Sequence, residues 1–204
     1  MAIKLYKGDL PADVDFGSQV AVDTETMGLN PFRDKLCLVQ LSAGDGDAVL
    51  VQLDRETYHA PNLKRLLEDS GVLKIFHYAR FDIAALRHWL GAEVSPVYCT
   101  KIASRLTRTY TDRHGLKDLV REMLGVDMSK QQQSSDWGTP VLSEAQKQYA
   151  ASDVLYLHEL KIRLDQMLRR EGRAELAQKC FDFLPTRAEL DLAGWADTDI
   201  FAHS

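Results

Sequence analysis

Two apolar runs flank Gly44-Asp45-Gly46-Asp47: Leu36-Cys37-Leu38-Val39-Gln40-Leu41-Ser42 before it and Ala48-Val49-Leu50-Val51-Gln52-Leu53 after it. Each has the length and the branched aliphatic character of a strand. The glycines and aspartates between them tolerate the positive φ angles of a tight hairpin. The turn lacks the ligand spacing of an EF-hand, so its acids are read as turn residues and not as a calcium loop. A third run, Val20-Ala21-Val22-Asp23-Thr24-Glu25, precedes them and turns acidic at its end. Three strands joined by short connections predict an antiparallel meander.

After residue 60 the apolar period changes. Helical spacing is predicted over 62–70, 80–90, 100–106, 116–124 and 144–170, with short strands over 72–76 and 94–98. Leu63, Leu66 and Leu67 share one helix face, and Leu157, Leu160, Leu164 and Met167 another. Strand–helix–strand alternation after a meander implies parallel strands added beside antiparallel ones, a mixed α/β sheet flanked by helices. At 204 residues the chain is expected to form a single domain, with a core at about 18–170 and a tail at about 185–204. Beyond Pro185 the sequence is acidic and without period, and is expected to pack loosely or to contact another subunit.

Composition narrows the function. The chain is 45% hydrophobic and 27% charged, which excludes wholesale disorder. No apolar run is long enough to span a bilayer, so no membrane partner is expected, and the N-terminal residues lack a secretory apolar segment; a cytoplasmic location is expected. Cys37, Cys99 and Cys180 form no CxxC pair and read as buried small hydrophobes. The net charge of −5 argues against a sequence-independent coat of duplex DNA, but not against an enzyme that gathers acids around metal ions.

Three short segments carry chemistry. Asp23 and Glu25 are two apart on a strand, so both carboxylates leave the same face near its C-terminal end. His77-Tyr78-Ala79-Arg80-Phe81-Asp82 runs from a strand end into a helix and places Asp82 in the first turn. Tyr149 and Asp153 are four apart and share a helix face. Val154, Leu155 and Leu157 follow Asp153, and an acid in such apolar company needs a partner, of which a metal ion is the strongest. Four carboxylates from a strand and two helices are thus expected to converge on two divalent cations, Mg²⁺ or Mn²⁺.

Val22-Asp23-Thr24-Glu25-Thr26, Phe81-Asp82 and Tyr149-Ala150-Ala151-Ser152-Asp153 resemble the three exonuclease motifs of the DEDD superfamily, tyrosine branch. Ser135-Asp136-Trp137-Gly138-Thr139-Pro140-Val141-Leu142, leading into Gln146, and Gly115-Leu116-Lys117-Asp118-Leu119 resemble ribonuclease D in particular. The resemblance runs from about Val20 to Leu160. It implies a ribonuclease H-like fold and two-metal hydrolysis of single-stranded RNA from a free 3′-hydroxyl, releasing nucleoside 5′-monophosphates. It also implies roles. Asp23 bridges both ions, Glu25 and Asp153 complete the site of the ion that holds the attacking water, and Asp82 holds the second ion through waters. Tyr149 hydrogen-bonds the water, Glu25 accepts from the 3′-hydroxyl, and the Thr26 backbone donates there. Met27, Leu29 and Phe81 either wedge against the last two bases or pack the core. His77 is either a phosphate contact or a structural histidine.

Lys101, Arg105 and Arg108 fall on one helix face, in a basic stretch with Arg113, His114, Lys117 and Arg121, and are expected to track the phosphate backbone. Lys130, Gln131 and Gln132 are expected in a loop at the mouth of the site, and Trp137 is expected to anchor packing. The chain departs from the family twice. No C-terminal helical RNA-binding module is expected in it, and Tyr98-Cys99-Thr100 stands where many relatives have Phe-Asp-Thr. The alternatives are the same chemistry on DNA, or a catalytically silent nucleic-acid-binding subunit; all four acids and Tyr149 together argue against the latter. No motif fixes an oligomeric state.

Overall fold

The computed structural model describes residues 2–129, 132 and 135–203. Among the described residues six strands are formed: β1 (Ile3–Lys7), β2 (Gln19–Thr26), β3 (Leu36–Ser42), β4 (Ala48–Gln52), β5 (Leu73–Phe76) and β6 (Val97–Cys99). They lie in the order β1-β4-β3-β2-β5-β6. The meander pairs antiparallel from β2 through β3 to β4. Strand β1, absent from the sequence reading, joins β4 in parallel, and β5 and β6 add in parallel beside β2. The expected mixed sheet is therefore the one observed.

Side-chain alternation splits the interior in two. Val20 and Val22 of β2 and Val39 and Leu41 of β3 face one core, shared with helices α1 (Pro61–Glu68), α2 (Ala79–Leu90) and α3 (Thr100–Thr107). Leu38 and Leu50 face the other, under Trp137, Leu142 and Ala150. Covered on both faces, β3 buries all seven of its residues, which is why it reads as an uninterrupted apolar run.

Helix α4 spans Leu116–Leu124 as expected. The single helix expected over 144–170 is two, α5 (Glu144–Leu155) and α6 (Leu157–Arg170), separated at Tyr156. The break lets α5 lie against the meander while α6 packs against α3 and α4. The expectation of a loose tail from Pro185 onward is corrected. Helix α7 (Ala174–Leu190) runs through Pro185 and buries Phe181, Leu184 and Ala188. That burial, chiefly against α2, outweighs the hydrogen bond the proline removes. Just past it, Asp191 accepts from Arg80 at 2.7 Å and pairs with Arg187 at 2.9 Å. Residues 196–203 are exposed. Cys37 and Cys99 are buried as expected, but Cys180 is only half-buried. Among the described residues no helix is long and apolar enough to cross a membrane.

Candidate active site

Strand β2 sits where the sheet changes from antiparallel to parallel. Only Gln19, Val20 and Ala21 pair with β5, so its acidic end is held by β3 alone. Asp23 lies opposite Gln40, and the pairing is irregular between Glu25 and Thr26. The Gln40 amide donates to Asp23 Oδ2 at 3.3 Å. On the same face, α5 is started by a capping box between Ser143 and Gln146 and delivers Tyr149 and Asp153. One carboxylate oxygen from each of Asp23, Glu25 and Asp153 lies within 4.8 Å of the others. Tyr149 adjoins Asp153, each adding to the electrostatics of the other, and the Tyr149 ring packs 6.1 Å from that of Trp137.

Asp82 is held differently. Past β5, Tyr78 turns the chain with left-handed φ 70° and ψ 41°, a strained conformation for a tyrosine. The turn brings the first turn of α2 beside the opposite face of β2. There Asp82 is buried and accepts from Thr24 Oγ1 at 2.6 Å. Its charge is near enough to Asp23 for each to oppose the other's ionisation. The structure thus gathers three of the four expected acids in one cluster and keeps the fourth on the other side of the strand.

Burial dominates the electrostatics. It pushes Asp23 up to about 7. Glu25 is pushed up to about 10 by burial and by the charges of Asp23, Asp153 and Asp82. Asp82 and Asp153 are also raised, each by burial first and Asp23 second. Tyr149 is raised by burial and by the neighbouring carboxylates, so it stays a phenol. Carboxylates crowded out of water repel one another and lack counter-charge. An all-oxygen donor set of this kind fits a hard divalent cation.

The cluster opens into a cavity of about 680 Å³ lined by Asp23, Glu25, Thr26, Met27, Leu29, His77, Phe81, Lys101, Tyr149 and Asp153. Met27 and Leu29 are 53% and 85% exposed, which rules out the core-packing alternative for both, while Phe81 is half-buried. His77 Nδ1 lies 2.8 Å from Thr100 Oγ1, and burial pushes its imidazole down to about 3, so the ring is neutral. Lys101 Nζ sits 4.1 Å over the Tyr78 ring. Tyr78, Met128 and Ser135 also line the cavity; Met128 carried no signal in the sequence, while Tyr78 and Ser135 lie in segments whose motifs assign them no role. Trp137 both packs and lines it, as does Lys117 of the basic stretch. Arg105 is exposed and lies outside the cavity lining. Lys130 and Gln131 lie outside the described residues, and Gln132 accepts at its carbonyl from the Ser135 backbone at 3.0 Å.

Arg108 does not join the expected cationic track. Helix α3 ends at Thr107, and Arg108 leaves the helical path with φ −100° and ψ 60°. Its fully buried side chain donates to Ser104 Oγ at 3.0 Å and to the Arg113 carbonyl at 2.7 Å, and pairs with Glu122. Arg108→Met is expected to lower stability by about 2 kcal/mol, since it leaves these acceptors without their donor. Urea denaturation checks this.

The model of the 3′-5′ exonuclease family matches residues 9–169. Ribonuclease D of Gluconacetobacter diazotrophicus is 35% identical over 156 residues, 76% of this chain and 39% of that protein. DNA polymerase I of Aquifex aeolicus is 37% identical over 147 residues, 72% of this chain and 24% of that one. The chain thus spans about two-fifths of the ribonuclease D length. Among solved structures, Brucella melitensis NrnC with bound Mg²⁺ is 57% identical and superposes with a TM-score of 0.96, both chains covered over 100% of their length. NrnC bound to pGG is 58% identical with the same TM-score of 0.96. The chain belongs to the 3′-5′ exonuclease family, among the DEDD-type members represented by ribonuclease D and NrnC.

Proposed function

We propose that this chain, acting as one domain, hydrolyses single-stranded RNA from the 3′ end with two divalent cations, Mg²⁺ or Mn²⁺, and releases nucleoside 5′-monophosphates. The observation that carries the reading is the meeting of Asp23, Glu25 and Asp153 within 4.8 Å, beside Tyr149, in a cavity wide enough for a nucleotide. Asp23, Glu25 and Asp153 would hold one ion, and Asp23 with Asp82, through waters, would hold the other. Bound there, the cations supply counter-charge and bring the acidity of water toward neutral pH.

The side chains then have separable tasks. Tyr149 cannot act as a base at neutral pH, because its hydroxyl keeps its proton; it orients the water. The water loses a proton to solvent as its oxygen bonds to the last phosphorus, and the bond from that phosphorus to O3′ of the preceding nucleotide breaks, O3′ leaving with the electron pair and taking up a proton. The released nucleotide keeps the phosphate on its 5′ oxygen. Glu25 accepts from the terminal 3′-hydroxyl. Met27, Leu29 and Phe81 flank the last two bases, and Lys101 and Lys117 face the phosphates from across the cavity.

The pGG complex of NrnC supports extending the substrate range down to a 5′-phosphorylated dinucleotide. The similarity to DNA polymerase I favours one second reading, the same hydrolysis on DNA. End-labelled RNA and DNA of matched sequence, together with pGG, decide between them. Cleavage is expected to vanish in EDTA and to return with Mg²⁺ or Mn²⁺. Calcium is expected to bind yet support little turnover, because its looser coordination positions water poorly. Full activity in chelator would exclude the metal reading. Blunt duplex and 3′-phosphorylated ends are expected to resist. In this reading the terminal nucleotide reaches Glu25 unpaired, and a phosphate would meet a carboxylate where a hydroxyl belongs. Gel analysis of the four end types tests this.

A further inference from the structure

Two walls of the cavity are tied together from behind by a residue outside it. Arg55 lies in the turn after β4, and its side chain borders a separate groove with Gln52, Asp54 and Thr139. Its Nη2 donates to the Gly138 carbonyl at 2.6 Å. Its Nη1 donates to Met27 Sδ at 3.3 Å. Its own carbonyl accepts from Lys35 Nζ at 3.3 Å. One guanidinium thus joins the turn after β2, which carries Met27, to the loop before α5, which carries Trp137 and Gly138. Met27 and Trp137 both line the catalytic cavity.

The junction is closed to added bulk. A Cβ on Gly138 would stand 2.9 Å from Arg55 Nη1, 3.1 Å from Asp136 Oδ1 and 3.2 Å from Met27 Cε. Gln52 Nε2 supports the same loop by donating to the Thr139 carbonyl at 2.9 Å. Met27 is 53% exposed and has a long, flexible side chain that would otherwise sample many rotamers. Holding its sulfur in advance removes an ordering cost that binding would incur. A planar fork with several donors can serve two acceptors at once, which a lysine cannot do in the same geometry.

We infer that Arg55 is a positioning residue that sets the width of the slot for the 3′-terminal base, by fastening the Met27 wall to the Trp137–Gly138 wall. The inference rests on the exonuclease reading above. It makes Arg55 matter for how tightly the terminal base is held, not for the chemical step.

The test is steady-state cleavage by the full chain of two short RNAs, one intact and one with an abasic 3′-terminal ribose, using Arg55→Met and Arg55→Lys. Thermal melting identifies folded variants, and Arg55→Lys serves if Arg55→Met does not fold. On the intact RNA, Arg55→Met is expected to raise KM roughly five- to ten-fold, the ordering cost of one long side chain, with kcat within about threefold. Arg55→Lys, keeping one donor contact, is expected to fall between it and the parent. On the abasic RNA the ratio of variant to parent KM is expected to return to near one. An unchanged KM, an equal rise on both RNAs, or a fall in kcat alone would overturn the inference. A parent chain that cleaves neither RNA would instead overturn the exonuclease reading. Equilibrium binding of fluorescently labelled pGG in calcium then still reads Arg55, with a roughly five- to ten-fold weaker Kd expected for Arg55→Met and an unchanged Kd counting against it.

Discussion

Asp23→Asn is expected to lower single-turnover cleavage by at least roughly 10³-fold, on the scale of losing a principal electrostatic group of an active site. The substitution keeps the volume and the Gln40 contact but removes the carboxylate lying between the cluster and Asp82. The fold should survive, and stability without metal should rise with a definite pH dependence. Burial raises Asp23 in the folded state to about 7, above its ordinary value, so the folded protein binds a proton that the unfolded chain releases. Between about pH 4 and about 7 the parent therefore loses stability as pH rises. The asparagine variant lacks this loss. In chelator the two should melt alike at acidic pH, with the variant melting higher above neutrality. A variant with parental activity would remove Asp23 from the site.

Tyr149→Phe is expected to lower the single-turnover rate by roughly 10²-fold or more, the low end for a positioned proton-transfer group. The ring against Trp137 remains, and only the hydroxyl beside Asp153 is lost. Substrate affinity in calcium should change little, because the water is not part of the substrate. Metal binding should persist because all four carboxylates are retained. A near-parental rate would reduce Tyr149 to a packing role beside Trp137.

These two experiments bear on residues whose juxtaposition local periodicity could express. Asp23 and Glu25 lie two apart on a strand, and Tyr149 and Asp153 lie four apart on a helix. Those spacings place each pair on one face whatever the rest of the chain does. The same reasoning failed for Arg108, which was expected to share a face with Lys101 and Arg105. A helical spacing names a shared face only while the helix lasts, and α3 ends one residue before Arg108. It failed again at Pro185, where local propensity argued for a break but the burial of Phe181, Leu184 and Ala188 carried the helix onward.

Sequence alone therefore determined the meander, the parallel strands after it and the acids and tyrosine of the proposed site, because each depends on period and turn chemistry within a few residues. Tertiary structure decided which of them meet. Strand β2 parts from β5 after Ala21, and Tyr78 turns α2 against Thr24. As a result Asp82 is buried across the strand from the cluster that Asp23, Glu25 and Asp153 form. The Arg55 link between Met27 and Gly138 is of the same kind. Its partners are 28 and 83 residues away along the chain, and no local pattern records a contact that exists only once the sheet has brought three loops to one end of its strands.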